Sequence, residues 1–139
     1  MQYLIKKRKI VHEYVHVLYN NYLSPMRILW LDEGLAQNLS KERENLSHNN
    51  YEKFRLLYNK FLNMLEFIEF DNLKHGNLFV NQYVNWYDIS YLLVFYLINS
   101  NSRNEIVQLV KNPNNAKLLE KNIIRDTEIF LQKFLLTKT

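Results

Sequence analysis

Glycine and proline are nearly absent from this chain, and their scarcity constrains its fold more than any other feature. Only 2 Gly and 2 Pro occur among 139 residues. These residue types supply the backbone geometries of hairpins and tight turns. A β-sandwich, a β-barrel or a doubly wound sheet is therefore disfavoured. We expect a mainly α-helical fold, and the length is that of one compact domain spanning residues 1–139.

Composition and charge exclude several kinds of site. Cysteine is absent, which excludes disulfides, thiolate metal sites and a cysteine nucleophile. Gly34 and Gly76 lie too far apart to form a phosphate-binding glycine loop. The net charge of +4 equals the charge of the basic run at 6–9. We interpret that run as the solvated face of a helix and expect no nucleic-acid partner.

The chain shows no membrane-spanning run and no signal peptide, so the cytoplasm is the default expectation. No pattern in the sequence indicates an oligomeric state.

Hydrophobic periodicity divides the chain into helices. The spacing predicts helices over 3–20, 29–39, 51–67, 87–99, 104–110, 116–122 and 127–136. In the first, the predicted apolar stripe consists of Leu4, Val11, Val15 and Leu18. Pro113 and the pair Asp126-Thr127 indicate breaks between the last three helices. Residues 45–50 indicate a polar loop, and 71–85 form either an irregular loop or one short strand.

The first predicted helix carries His12-Glu13-Tyr14-Val15-His16, an HExxH motif. Residues four apart lie on one helix face, so both imidazoles can reach one metal ion, and neutral imidazoles suit Zn²⁺. Glu13 lies beside that ion and can serve as a general base. By composition, roughly 0.008 such matches are expected in this chain. The competing interpretation is two partly exposed histidines on an amphipathic helix.

A third metal ligand is offered by residues 30–36, which spell Trp-Leu-Asp-Glu-Gly-Leu-Ala. A catalytic zinc needs three protein ligands and one open position. Glu33 follows His16 at a distance that leaves room for a turn and an antiparallel return of the chain. Asp32 is a competing ligand, and its other possible roles are helix N-cap or hydrogen-bond acceptor behind a ligand.

Together the two motifs, HExxH and WLxEG, resemble those of the gluzincin zinc metallopeptidases. This group includes the peptidase MA-like proteins and the leukotriene-hydrolase type of aminopeptidases. The resemblance implies zinc-dependent hydrolysis of a peptide or protein substrate. It also implies that Glu33 is the third zinc ligand, after His12 and His16, and that Glu13 is the catalytic base.

A second stretch of similarity covers residues 87–98, which resemble a helix of the related aminopeptidases. The tyrosine that opens that helix hydrogen-bonds the oxyanion in those enzymes, which implies this role for Tyr87. A phenol aimed at developing negative charge is a sound oxyanion donor. Tyr83 and Tyr91 are rival positions, and His75 is an alternative oxyanion ligand. The remaining histidine, His48, is expected to be solvated in a polar loop.

The chain departs from the gluzincin pattern before the first motif. Gluzincins place a small β-sheet there, and its edge strand pairs with the substrate. Here the residues before His12 indicate only helix, so that sheet is expected to be missing. Three explanations stay open: a fragment of a longer protein, a minimal gluzincin with another mode of substrate binding, or a catalytically inactive metal-binding or protein-interaction module.

Overall fold

A computed structural model of the chain describes residues 2–23, 28–43, 51–68, 85–112 and 116–137. Within these ranges the chain forms six α-helices and no β-strand, which confirms the predicted mainly α-helical fold there. The helices are α1 (Gln2–Leu18), α2 (Leu29–Leu39), α3 (Tyr51–Met64), α4 (Trp86–Asn99), α5 (Arg103–Lys111) and α6 (Ala116–Leu136). A π-helical turn at Tyr19–Leu23 extends α1, and a 3₁₀ turn at Leu65–Phe67 extends α3.

The hydrophobic core is arranged around α4. Residues 88–97 of this helix are buried without interruption, and α2, α3, α5 and α6 all contact it. A helix that is apolar on every side must be enclosed by other elements. Its start is capped by Asn85, whose side-chain oxygen accepts hydrogen bonds from the backbone N–H groups of Tyr87 and Asp88 at 3.1 and 3.2 Å. Among the described residues, no helix has the length and apolar character needed to cross a membrane.

Helix α2 packs directly against α4 at Gly34. A Cβ atom at this position would overlap the Ser90 carbonyl oxygen and the Val94 side chain. The missing side chain therefore lets the two backbones approach closely. Next to this contact, Gln37 Nε2 donates to the Tyr87 carbonyl at 3.0 Å, and Asn38 Nδ2 donates to the carbonyl oxygens of Gly34 and Tyr91 at 2.8 and 3.1 Å. These bonds fix the register of α2 on α4.

Trp30 joins α2 to the C-terminal helix. Its side chain is fully buried, and its indole N–H donates to Glu120 Oε1 of α6 at 3.2 Å. A buried indole needs such an acceptor, and a buried carboxylate needs such a donor. The tryptophan of the WLxEG motif therefore has a structural role between two helices.

The prediction of two short helices at 116–122 and 127–136 is wrong. The structure has one continuous helix there, α6. Asp126-Thr127 was predicted to break the helix, but Thr127 is buried and its hydroxyl donates to the Ile123 carbonyl at 2.6 Å. A threonine that bonds the carbonyl four residues earlier fits inside a helix, so no break is required.

The apolar stripe predicted on α1 is only partly buried. Val15 is buried and packs in the core, Val11 and Leu18 are half-buried, and Leu4 is exposed. The reason is that α1 packs chiefly on α2, so only its C-terminal half reaches the core. The predicted polar loop at 45–50 and all of 71–84 lie outside the described residues.

We predict that Gly34→Ala destabilises the protein. Overpacking against the Ser90 carbonyl is expected to lower the free energy of unfolding by about 2–3 kcal/mol. Thermal or denaturant unfolding followed by circular dichroism measures this change. Helix propensity alone predicts the opposite sign, because alanine is the better helix former. A stabilised variant would therefore contradict the close approach of α2 and α4.

Candidate metal centre

The two histidines of the HExxH motif face α2. His12 and His16 lie one turn apart on α1, and their ring centroids are 4.8 Å apart with the planes 66° from parallel. Both side chains are mostly buried, with 16% and 19% of their surface exposed. The i, i+4 spacing thus places both rings on the side of α1 that packs against its neighbour, as the sequence pattern requires.

Glu33 of α2 lies between the two rings. Its Oε1 is 3.5 Å from His12 Nε2, and its Oε2 is 3.1 Å from His16 Nε2. One potential ligand atom from each of His12, His16 and Glu33 lies within 4.8 Å of the other two. The structure therefore brings together the three side chains that the sequence nominated, in a cluster that could hold a metal ion.

Asp32 lies behind His16 rather than within the cluster. Its carboxylate is completely buried, and Oδ1 is 2.8 Å from His16 Nδ1. It is not the N-cap of α2, since that position belongs to Ile28. Of the roles left open for Asp32, the geometry matches the acceptor that orients a ligand.

A second carboxylate, Glu42, lies behind His12, and the sequence analysis missed it. Glu42 Oε2 is 3.0 Å from His12 Nδ1. It follows the end of α2, where Lys41 adopts a left-handed backbone conformation with φ 60° and turns the chain. No motif marks this residue, because its position depends on where α2 ends.

The two outer carboxylates determine which ring nitrogens are available. A carboxylate only accepts hydrogen bonds, so the Nδ1 atoms of His12 and His16 carry the protons that Glu42 and Asp32 accept. In a neutral imidazole the Nε2 atom then has its lone pair free. Both Nε2 atoms point toward Glu33, and this is the tautomer and orientation in which histidine binds metals.

The centre holds more negative than positive groups. Three carboxylates, those of Asp32, Glu33 and Glu42, surround two imidazoles. Burial raises the pKa of the Glu33 carboxyl above its ordinary 4.5; His12 and His16 oppose that rise, while Glu42 and Asp32 add to it. A divalent cation between the Nε2 atoms and Glu33 would balance these charges. The donor set, two imidazole nitrogens and a carboxylate oxygen, is one that zinc accepts.

Glu13 lies outside the cluster, on the solvent side. Its side chain is exposed and lines a cleft of 390 Å³ together with His12 and Glu42. A carboxylate in this position is accessible to a bound molecule. Its role as a general base stays a prediction.

Tyr87 begins α4 and is 42% exposed, with its ring centroid 4.4 Å from that of Trp86. Its backbone carbonyl is bound by Gln37 of α2, which ties this end of α4 to the helix that carries Glu33. The rival Tyr91 is buried beneath the Arg43 guanidinium, whose Cζ is 5.1 Å from the ring centroid. The role of Tyr87 in stabilising an oxyanion stays a prediction. Tyr83, His48 and His75 lie outside the described residues.

Comparison of the chain with known protein families, curated proteins and solved structures finds no match. The geometry of the three side chains and their two carboxylate partners is therefore what supports a metal centre here.

We predict that Glu33→Gln stabilises the metal-free protein. The raised pKa of Glu33 means that the folded state binds this proton more tightly than the unfolded state. The stability of the metal-free wild type is therefore reduced as pH rises above about 4.5, and the variant lacks this loss. The measurement is the unfolding free energy of both proteins between about pH 4 and pH 8, in the presence of a chelator.

Zinc should reverse the order of stability of the wild type and the Glu33→Gln variant. At about 100 times the dissociation constant, a ligand stabilises the native state by about 2.7 kcal/mol. Wild type should gain this stability, whereas Glu33→Gln should gain little. Equal stabilisation of both proteins by zinc would show that Glu33 is not a ligand.

We also predict that Asp32→Asn and Glu42→Gln each weaken zinc binding about 10–100-fold, since each replaces the charged acceptor behind a ligand with a neutral and weaker one. Competition with a chromophoric chelator measures the affinity. Glu52→Gln is the control, because Glu52 lies on α3 with 85% of its side chain exposed. Unchanged affinity in both variants would contradict the orienting role.

Proposed function

We propose that this chain is a gluzincin-type zinc metallopeptidase that hydrolyses bonds in a peptide or protein substrate. The observation that carries the proposal is the convergence of His12, His16 and Glu33, with ligand atoms within 4.8 Å of one another. Each imidazole also has a carboxylate at its Nδ1 atom. With these three residues as ligands, a bound zinc would keep a coordination position for water or substrate, as catalysis requires.

The proposed roles follow from this arrangement. When bound, Zn²⁺ supplies a Lewis acid that polarises the substrate carbonyl and acidifies a water molecule. Glu13 accepts a proton from the attacking water and delivers it to the leaving amine as the C–N bond breaks. The phenol of Tyr87 donates a hydrogen bond to the oxyanion that forms at the carbonyl. Support for Glu13 comes from its exposed position in the cleft beside His12.

A non-catalytic module that binds metal or another protein is the second candidate, and one observation favours it. One side of α1 exposes a line of large apolar side chains with helical spacing. These residues are Tyr3, Ile10, Tyr14 and Val17. Exposed apolar surface of this kind is typical of contact with another chain or domain.

Substitution of Glu13 separates the two candidates. The zinc-loaded wild type is incubated with a mixed peptide library, and cleavage products are identified by mass spectrometry. We expect one zinc per chain and measurable cleavage. Glu13→Gln should keep the zinc and cleave at least about 100-fold more slowly, because a general base contributes about 10²–10⁴-fold. His16→Ala should lose both tight zinc binding and cleavage.

Glu52→Gln serves as the matched control and should leave both zinc content and cleavage unchanged. Cleavage by Glu13→Gln at the wild-type rate would reject Glu13 as the base. A wild type that holds one zinc and cleaves no member of the library would favour the non-catalytic module. Zinc content far below one per chain would reject the zinc metallopeptidase and the metal-binding form of the module.

A further inference from the structure

The cleft beside the candidate metal centre has a mixed lining that the proposed chemistry does not fully use. Its 390 Å³ volume lies within the range of ligand-binding pockets. The lining consists of Ile5, Arg8, Lys9, His12, Glu13 and Glu42. Three of these residues already have roles at the centre, as candidate ligand, candidate base and orienting carboxylate. The two cations and the isoleucine have none.

The two cationic residues lie one helical turn before the reacting groups. Arg8 precedes His12 by four residues, and Lys9 precedes Glu13 by four, so each pair shares a face of α1. Four residues of helix span about 6 Å. Two residues of an extended peptide span about 7 Å. A group one or two residues from the scissile bond therefore falls within reach of these cations.

The two cations and two carboxylates of the cleft balance in number but not in position. Arg8 and Lys9 are consecutive on α1, one turn before His12 and Glu13, so an anion is favoured at the end of the cleft that holds the two cations. The acidic residues in the lining are Glu13 and Glu42, and Glu42 is engaged with His12 Nδ1 at 3.0 Å. Lys9 is exposed and Arg8 is half-buried, so a bound molecule can reach at least the ammonium group. Occupation of the centre by a divalent cation would add positive charge at the other end of the cleft.

We propose that this cleft recognises a carboxylate of the peptide substrate, with Lys9 and Arg8 as specificity-determining residues. The carboxylate belongs either to the C-terminus or to an acidic side chain near the scissile bond. The position of the scissile bond rests on the proposed function, whereas recognition of the carboxylate does not require turnover. Ile5 supplies an apolar wall for the neighbouring part of the peptide.

Peptide binding to the zinc-loaded Glu13→Gln protein tests this proposal without hydrolysis. Four pentapeptides labelled at the N-terminus are compared by fluorescence anisotropy. The first pair has the same neutral sequence with a free C-terminal carboxylate or an amide. The second pair is amidated and carries either Glu or Gln at the fourth position. We expect at least one acidic peptide to bind about tenfold more tightly than its neutral partner, as a charge-assisted contact provides.

Two charge reversals on α1 distinguish the cleft from the general positive charge of the chain. Lys9→Glu, added to Glu13→Gln, should abolish the preference for the acidic peptide. Lys7→Glu changes the net charge equally at an exposed position outside the cleft and should leave the preference intact. If the peptides with free and amidated C-termini differ in affinity, the recognised carboxylate is the C-terminus. If the peptides with Glu and Gln at the fourth position differ, it is an acidic side chain.

Equal affinities of acidic and neutral peptides for the zinc-loaded protein would overturn the proposal, as would equal losses in the Lys7→Glu and Lys9→Glu proteins. The peptide-library experiment scores hydrolysis separately. A preference that depends on Lys9 in a protein without cleavage would keep the carboxylate site and reject the peptidase. Cleavage without any preference for acidic peptides would keep the peptidase and reject the carboxylate site.

Discussion

The contact of α2 with the central helix at Gly34 is the constraint on which the candidate site depends. Because no side chain separates the two backbones there, α2 is held against α4, and amide groups of Gln37 and Asn38 fix its register. The two residues before Gly34 supply the acidic groups that meet the imidazoles of α1. A packing requirement in the apolar core therefore determines where the polar site is built.

The site itself combines groups that would oppose folding in the absence of a cation. Of the three carboxylates around the two imidazoles, those of Asp32 and Glu33 are buried and lose solvation. Such an arrangement persists when the surrounding structure holds it in place, here by the packing of α2 between α1 and α4. The packing that holds these groups together at a cost in stability also orients both Nε2 atoms toward Glu33. Tight metal binding requires ligands that are oriented in this way.

Helix spacing and a simple return of the chain were predictable from the sequence, whereas the positions of helix ends and of individual side-chain hydrogen bonds were not. The pairing of His12 with His16 is a property of any α-helix, so it was predictable from spacing alone. The prediction of Glu33 as the third ligand required only that α2 fold back against α1. Glu42 could not be found in this way, because its position depends on the left-handed turn at Lys41. The continuity of α6 through Thr127 was also missed, since the Thr127 hydroxyl bonds a carbonyl within the helix instead of capping a new helix.

The sequence by itself determined the helical class of the described regions and the common face of the two histidines, because both follow from a repeat of 3.6 residues and from a lack of turn-forming residues. Only the tertiary structure decided that Asp32 lies behind His16 while Glu33 faces both rings, that Glu42 supports His12, and that a cleft adjoins the centre. These features depend on contacts between residues far apart in the chain. Their geometry is set by how closely the helices pack, which no local pattern contains.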